Sequence, residues 1–227
     1  MRSTLMAVAA VVALSTSVYA DTILQDFEAG TTGTNLVSNW RPGFSGSTSG
    51  INTDTNTQIY QYSDEQAKSG VKSGKLGWEW TGASGGLVRI QPAAGLNNNA
   101  PAVNHTSEPY IGFAIYASGT GDKLAFYMGE GASGNGASPY ERFTADYTLS
   151  FTGWRVLERN ILTDPVVAWV TGDGTLNATC SFSGFFWYQG APAGAVTYYL
   201  DDISFTSSSR GPDLLPDSAV SDWSVYQ

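Results

Sequence analysis

The sequence is poor in the residues that a nucleic-acid partner, a zinc centre or a disulfide scaffold requires. Its 227 residues include one cysteine, one histidine and eleven lysines and arginines against twenty aspartates and glutamates. Cys180 has no second thiol in the chain to pair with, so stability must come from a core or a bound ion. It lies in the strand-like run Thr179-Cys180-Ser181-Phe182 and reads as a buried, inert thiol. A formal charge of −9 leaves no basic stripe to neutralise phosphates and no basic run to hold an anionic lipid surface, which excludes nucleic acid and membrane as partners. One histidine and one cysteine are too few for catalytic zinc. A Ser-His-Asp triad would have to use His105, in the polar loop Asn104-His105-Thr106, where a histidine is normally an exposed surface residue; no Gly-x-Ser-x-Gly elbow accompanies it. After the first twenty residues no apolar run approaches the roughly 20 residues that span a bilayer.

Those first residues read as a secretory signal peptide, residues 1–20. Arg2 supplies the positive start, residues 5–14 the apolar stretch, and Val18-Tyr19-Ala20 the small-x-small cleavage site. The expectation is an exported chain beginning at Asp21, extracellular or periplasmic. Residues 21–206 are long enough for one core, and residues 207–227 read as a linker-like, solvated tail.

Glycine (26 residues) and aromatic side chains (13%) are abundant, and charged residues make up only 14%. Turn formers recur about every ten residues and no apolar period of 3.6 persists, so the class is all-β, a two-sheet antiparallel β-sandwich of jelly-roll type. Strands are expected at 22–28, 37–41, 75–81, 87–91, 110–117, 123–129, 140–151, 154–160, 179–188 and 196–206, with a long polar loop at 43–74. Alternation sends Ile111, Phe113 and Ile115 to the core and Tyr116 outward; in the next strand Leu124, Phe126 and Met128 go inward, and Lys123 and Tyr127 outward. Tyr116 and Tyr127 are therefore expected on one shared sheet face. Arg89 alternates with apolar neighbours and joins the less apolar side. Phe185-Phe186-Trp187-Tyr188 fills both sides of its strand, and the pattern leaves open which of Trp187 and Tyr188 faces out. A neutral surface with aromatic planes and hydrogen-bonding groups suits a saccharide: rings stack on C–H faces while amide and guanidinium groups take the hydroxyls.

Leu24-Gln25-Asp26-Phe27-Glu28, Gly153-Trp154-Arg155-Val156 and Tyr198-Tyr199-Leu200-Asp201-Asp202-Ile203-Ser204-Phe205 form an ordered set across the chain. The set resembles the calcium-bearing jelly-roll carbohydrate-binding modules found with bacterial polysaccharide-degrading enzymes, over residues 22–206. In a jelly roll the first and last strands pair, which would bring Asp26 and Glu28 near Asp201 and Asp202, and hard oxygen donors favour Ca²⁺. The resemblance implies that Glu28 and one of Asp201 and Asp202, with Asp26, hold a structural calcium. It further implies polysaccharide or oligosaccharide binding, by a monomer, on a face carrying Tyr116, Tyr127, Arg89, Lys123 and Trp187 or Tyr188. Two other readings stay open. One is a polysaccharide lyase or glycoside hydrolase on the same face, for example with a tyrosine base and an arginine neutraliser, although the Glu-x-Asp-x-x-Glu and Gln-Ile-His strands of such jelly-roll enzymes are missing. The other is a structural or adhesive extracellular protein.

Overall fold

The computed structural model describes residues 21–92, 102–130, 138–214 and 216; the signal-peptide reading and the last part of the tail lie outside them. Thirteen strands are described. They are β1 (Thr22–Gln25), β2 (Ile59–Ser63), β3 (Ser73–Trp80), β4 (Leu87–Ile90), β5 (Val103–Asn104), β6 (Tyr110–Ser118) and β7 (Lys123–Gly129), followed by β8 (Tyr140–Phe143), β9 (Tyr147–Thr148), β10 (Thr152–Asn160), β11 (Val166–Trp169), β12 (Thr179–Tyr188) and β13 (Gly194–Thr206). One antiparallel sheet runs β10-β6-β13-β3-β2, with β1 also on β13; the other runs β11-β8-β7-β12-β4, with β5 on β12 and β9 on β7. The two form a β-sandwich of jelly-roll type, and the first and last strands pair, Thr22 opposite Phe205.

Central strands lie where the sequence pattern puts them. β7 and β12 match their expected bounds, as long apolar runs closed off by turn formers, and both of their faces are buried. Edge segments differ. Residues 37–41 form a 3-10 turn, Ser38–Trp40, that drops Trp40 into the core. The expected strand at 140–151 breaks into β8 and β9. The loop expected at 43–74 contains β2, an edge strand whose half-buried side chains show no alternation.

Between the sheets lies an aromatic core. Trp78 packs edge-on to Trp80 and Trp187, with ring centroids 5.6 Å apart in both pairs, and Phe113 packs on Phe126 and Phe185. Trp187 is fully buried there and Tyr188, next in sequence, points to the opposite side, which answers the question that alternation left open. The segment after β13 is not solvated along its whole length. Asp213 exchanges hydrogen bonds with Val156 on the edge strand β10, and Ser209 and Arg210 donate to the Glu158 carboxylate.

Candidate functional site

The outer side of the β11-β8-β7-β12-β4 sheet carries a second aromatic cluster, separate from the core. Ala125 and Tyr127 come from β7 and Phe186 and Tyr188 from β12, with Leu87 of β4, Tyr140 of β8 and Trp169 of β11 packed against them. Tyr127 lies 4.8 Å from Phe186, 5.0 Å from Trp169 and 5.5 Å from Tyr140, centroid to centroid. Two guanidinium groups lie over these rings. Arg89 is 4.4 Å from the Trp169 ring and 5.1 Å from Tyr127, and Arg142 is 4.9 Å from Tyr188. The face is therefore a layer of π surfaces faced by cations, an arrangement that fixes ring orientation before any ligand arrives.

Burial divides its members into foundation and contact surface. Tyr127 and Tyr188 are 1% and 4% exposed, whereas Tyr140, Trp169, Arg89 and Lys123 are half-buried and within reach of a ligand. Arg89 donates its Nε–H to the Tyr127 hydroxyl oxygen at 3.0 Å. Burial pushes the Tyr127 phenol up to about 12, against the pull of Arg89. A phenol held there keeps its proton at neutral pH, so Tyr127 serves as a support for Arg89 and is poorly matched to a base. Arg142 Nη2 and Asp146 Oδ1 form an ion pair at 2.9 Å, both nearly buried; burial raises the Asp146 carboxyl although Arg142 opposes the shift.

The expected residues divide between two faces. Tyr127, Arg89, Lys123 and Tyr188 belong to this sheet. Tyr116 does not: β6 and β7 are successive in sequence but lie in different sheets, so the connection crosses the sandwich and the two tyrosines face opposite ways. The shared face expected for them is corrected accordingly. Trp187 is removed from the ligand face by its place in the core. Trp169, Tyr140 and Phe186 complete the cluster without having been expected there. The apolar run Val166-Val167-Ala168-Trp169 is the sequence signal for the first, but it is short, does not alternate and follows a proline.

The acids at the chain termini have partners of their own. Glu28 Oε1 accepts the backbone N–H groups of Val71 and Lys72, both at 2.9 Å, and these bonds lower its pKa. Asp201 Oδ2 accepts the Lys68 and Ser69 amides and its Oδ1 that of Asp202; burial pushes this carboxyl up to about 6. Asp202 Oδ1 accepts the Ser69 hydroxyl, Asp26 Oδ1 accepts the Glu28 amide, and the Lys72 ammonium donates to the Glu28 carbonyl at 2.8 Å. Together these bonds pin residues 68–72 to the segment just after β1 and to the middle of β13. A convergent set of carboxylates lies elsewhere: oxygens of Glu130, Glu141 and Asp173 come within 4.8 Å of one another. Glu141 is fully buried and accepts the Asp173 and Gly174 amides, Asp173 accepts the Thr175 amide and hydroxyl, and Glu130 accepts the Asn177 amide; among the described residues no ion pair reaches any of the three.

His105 and Cys180 form a buried pair, Nδ1 to Sγ 3.9 Å. The thiol is inert as expected, its pKa well raised by burial. The histidine is 1% exposed and so is not the surface residue that its polar neighbours suggested.

No protein-family model and no curated protein sequence matches the chain. Solved structures do. The chain is similar to the family 11 carbohydrate-binding module of the cellulosomal cellulase Lic26A-Cel5E of Clostridium thermocellum, with a TM-score of 0.51, 13% identity, and coverage of 85% of this chain and 97% of that one. It is likewise similar to a family 11 module from the same organism in complex with a β-1,3-1,4-mixed-linked tetrasaccharide, with a TM-score of 0.50, 14% identity and coverage of 83% and 96%. At such identities the likeness is one of fold: the chain has the β-sandwich architecture of these carbohydrate-binding modules.

Proposed function

We propose that the protein binds a polysaccharide or oligosaccharide on the outer face of the β11-β8-β7-β12-β4 sheet, without cleaving it. The observation that carries this reading is the outward aromatic layer, in which half-buried Trp169 and Tyr140 stand over a buried foundation with Arg89 between them. The similar module that was solved with a mixed-linked tetrasaccharide supports the ligand class. Trp169 and Tyr140 offer planes for pyranose C–H faces, and Arg89 and Lys123 offer donors to ring hydroxyls. A lyase using Tyr127 as base is disfavoured by the phenol's raised pKa and 1% exposure. Export is part of the proposal and is supported by the leader-like residues 1–20. A structural Ca²⁺ is part of it too. The donor set that supports the ion is Glu130, Glu141 and Asp173, hard oxygen ligands whose mutual repulsion a divalent cation would relieve. Affinity electrophoresis of the purified protein through gels containing soluble β-glucans, xylan, mannan or alginate, followed by a reducing-end and unsaturated-uronate assay, tests the reading. Retardation without product supports it; product formation makes the protein an enzyme, and no retardation in any gel overturns it.

A further inference from the structure

The face to which Tyr116 was displaced has features of its own. On the outer side of the β10-β6-β13-β3-β2 sheet, Trp154, Tyr116, Tyr199 and Lys75 stand directly opposite one another on four neighbouring strands. The three rings form an edge-to-face row, Trp154 to Tyr116 at 5.8 Å and Tyr116 to Tyr199 at 5.7 Å. Glu65 fixes the far end by accepting the Tyr199 hydroxyl at 2.6 Å and pairing with Lys75 at 2.6 Å. Tyr199 is nearly buried, and Trp154 and Tyr116 remain half-buried and open to a ligand.

One step along the same strands, Val156 and Ala114 line a cavity of about 310 Å³. That step is two residues, about 7 Å in a strand, so the ring row and the cavity form one continuous surface. The cavity sets charged side chains among the apolar Ile23, Ala114 and Val156. Lys68 and Arg210 line it together with Asp21 and Asp202, two cationic side chains against two carboxylates, and in the exported chain the α-amino group of Asp21 adds a further positive charge. Ser204 lines it as well, 1% exposed, and its hydroxyl oxygen is buried without a hydrogen-bond partner. An unsatisfied hydroxyl at that depth costs free energy unless a ligand or water completes it.

We infer that this opposite face is a second saccharide site, in which a sugar ring stacks on Trp154 and Tyr116 while the next ring places hydroxyls in the cavity against Ser204, Lys68 and Asp202. Donors and acceptors of both signs in the wall suit the hydroxyls of a neutral glycan, which both donate and accept. The inference shares with the proposed function only the ligand class. Sites on both outer faces would let one molecule hold two chains of a polysaccharide network at once, with the avidity that bivalency brings.

The test is an ¹H–¹⁵N titration of the labelled protein with cellotetraose, xylotetraose, mannotetraose and laminaritetraose, following the Trp154 and Trp169 indole N–H and the Ser204 amide. It is repeated on Trp169→Ala/Tyr140→Ala and on Tyr116→Ala/Ser204→Ala. Saturable shifts at Trp154 and Ser204 that persist in the first variant and weaken in the second, with Ser204→Ala alone costing about fivefold in affinity, are the expected result. Shifts confined to Trp169 and its neighbours overturn the second site and leave the proposed function standing. Shifts confined to Trp154 and Ser204 keep the second site and overturn the location of the first, and no shift with any of the four sugars overturns both for neutral glycans.

Discussion

Asp122 and Trp80 tie the two sheets together: the indole Nε1–H of Trp80, on β3, donates to Asp122 Oδ2 at 2.9 Å from just before β7. The same oxygen accepts the Tyr198 hydroxyl at 2.6 Å, and Oδ1 accepts the amides of Gly190 and Ala191 at 2.7 and 2.8 Å. A fully buried carboxylate with four donors is stable because each replaces a lost water. A Cβ at residue 190 would lie 2.0 Å from the Gly121 carbonyl oxygen, so only glycine brings that amide close enough. Asp122→Ala leaves these donors unpaired and is expected to cost about 3–5 kcal/mol. Asp122→Asn, which keeps one acceptor oxygen, is expected to cost less. Urea unfolding followed by tryptophan fluorescence measures both.

Trp187 and Trp169 separate stability from binding. Trp187→Ala opens a cavity in the aromatic core and is expected to cost about 3–5 kcal/mol of stability. Trp169 is half-buried on the outer face, so Trp169→Ala is expected to lower the urea midpoint less than Trp187→Ala does while weakening glycan binding by about tenfold or more. The opposite assignment of effects, read from urea curves and affinity electrophoresis of the two variants, would remove Trp169 from the site.

The sandwich and its inner faces were legible because alternation acts within one strand: a residue's side of its own sheet follows from its neighbours. Which sheet a strand joins does not. Tyr116 and Tyr127 both point outward as the pattern says, yet the eleven-residue interval between them crosses from one sheet to the other, and no local property of those residues encodes the crossing. The Trp187/Tyr188 ambiguity has a similar origin. In Phe185-Phe186-Trp187-Tyr188 both faces are apolar because both are covered, one by the core and the other by the Tyr127 cluster. His105 was misjudged because its polar sequence neighbours say nothing of the Cys180 side chain that packs against it.

The calcium proposal predicts a chelator effect that one carboxylate controls. Addition of EDTA is expected to lower the melting temperature by several degrees, since a ligand at a hundred times its Kd contributes about 2.7 kcal/mol. Glu141→Gln is expected to abolish that response. Asp202→Ala should leave it intact, because Asp202 is not one of the three convergent carboxylates. A response that survives Glu141→Gln and disappears in Asp202→Ala would transfer the ion to the terminal acids, and an unchanged melting temperature in the unmodified protein would remove the ion from the proposal.

His105 sets a pH limit on stability. Desolvation lowers its pKa below the ordinary 6.5, with an Asn177 backbone hydrogen bond pulling the other way. Such a base binds its proton in the unfolded chain before the folded one. Its contribution to stability is therefore complete above about pH 6.5 and declines as pH falls through that value toward the lower folded pKa. Because this is the chain's one histidine, its ring Hε1 resonance reports the folded pKa without ambiguity and is expected to titrate with a midpoint below 6.5. His105→Gln removes the titrating group, so the acid-side slope of melting temperature against pH between about 5 and 6.5 should flatten. A midpoint at 6.5 would remove the effect, and one above 6.5 would mean that the imidazolium finds a partner in the fold and would reverse the sign of the slope.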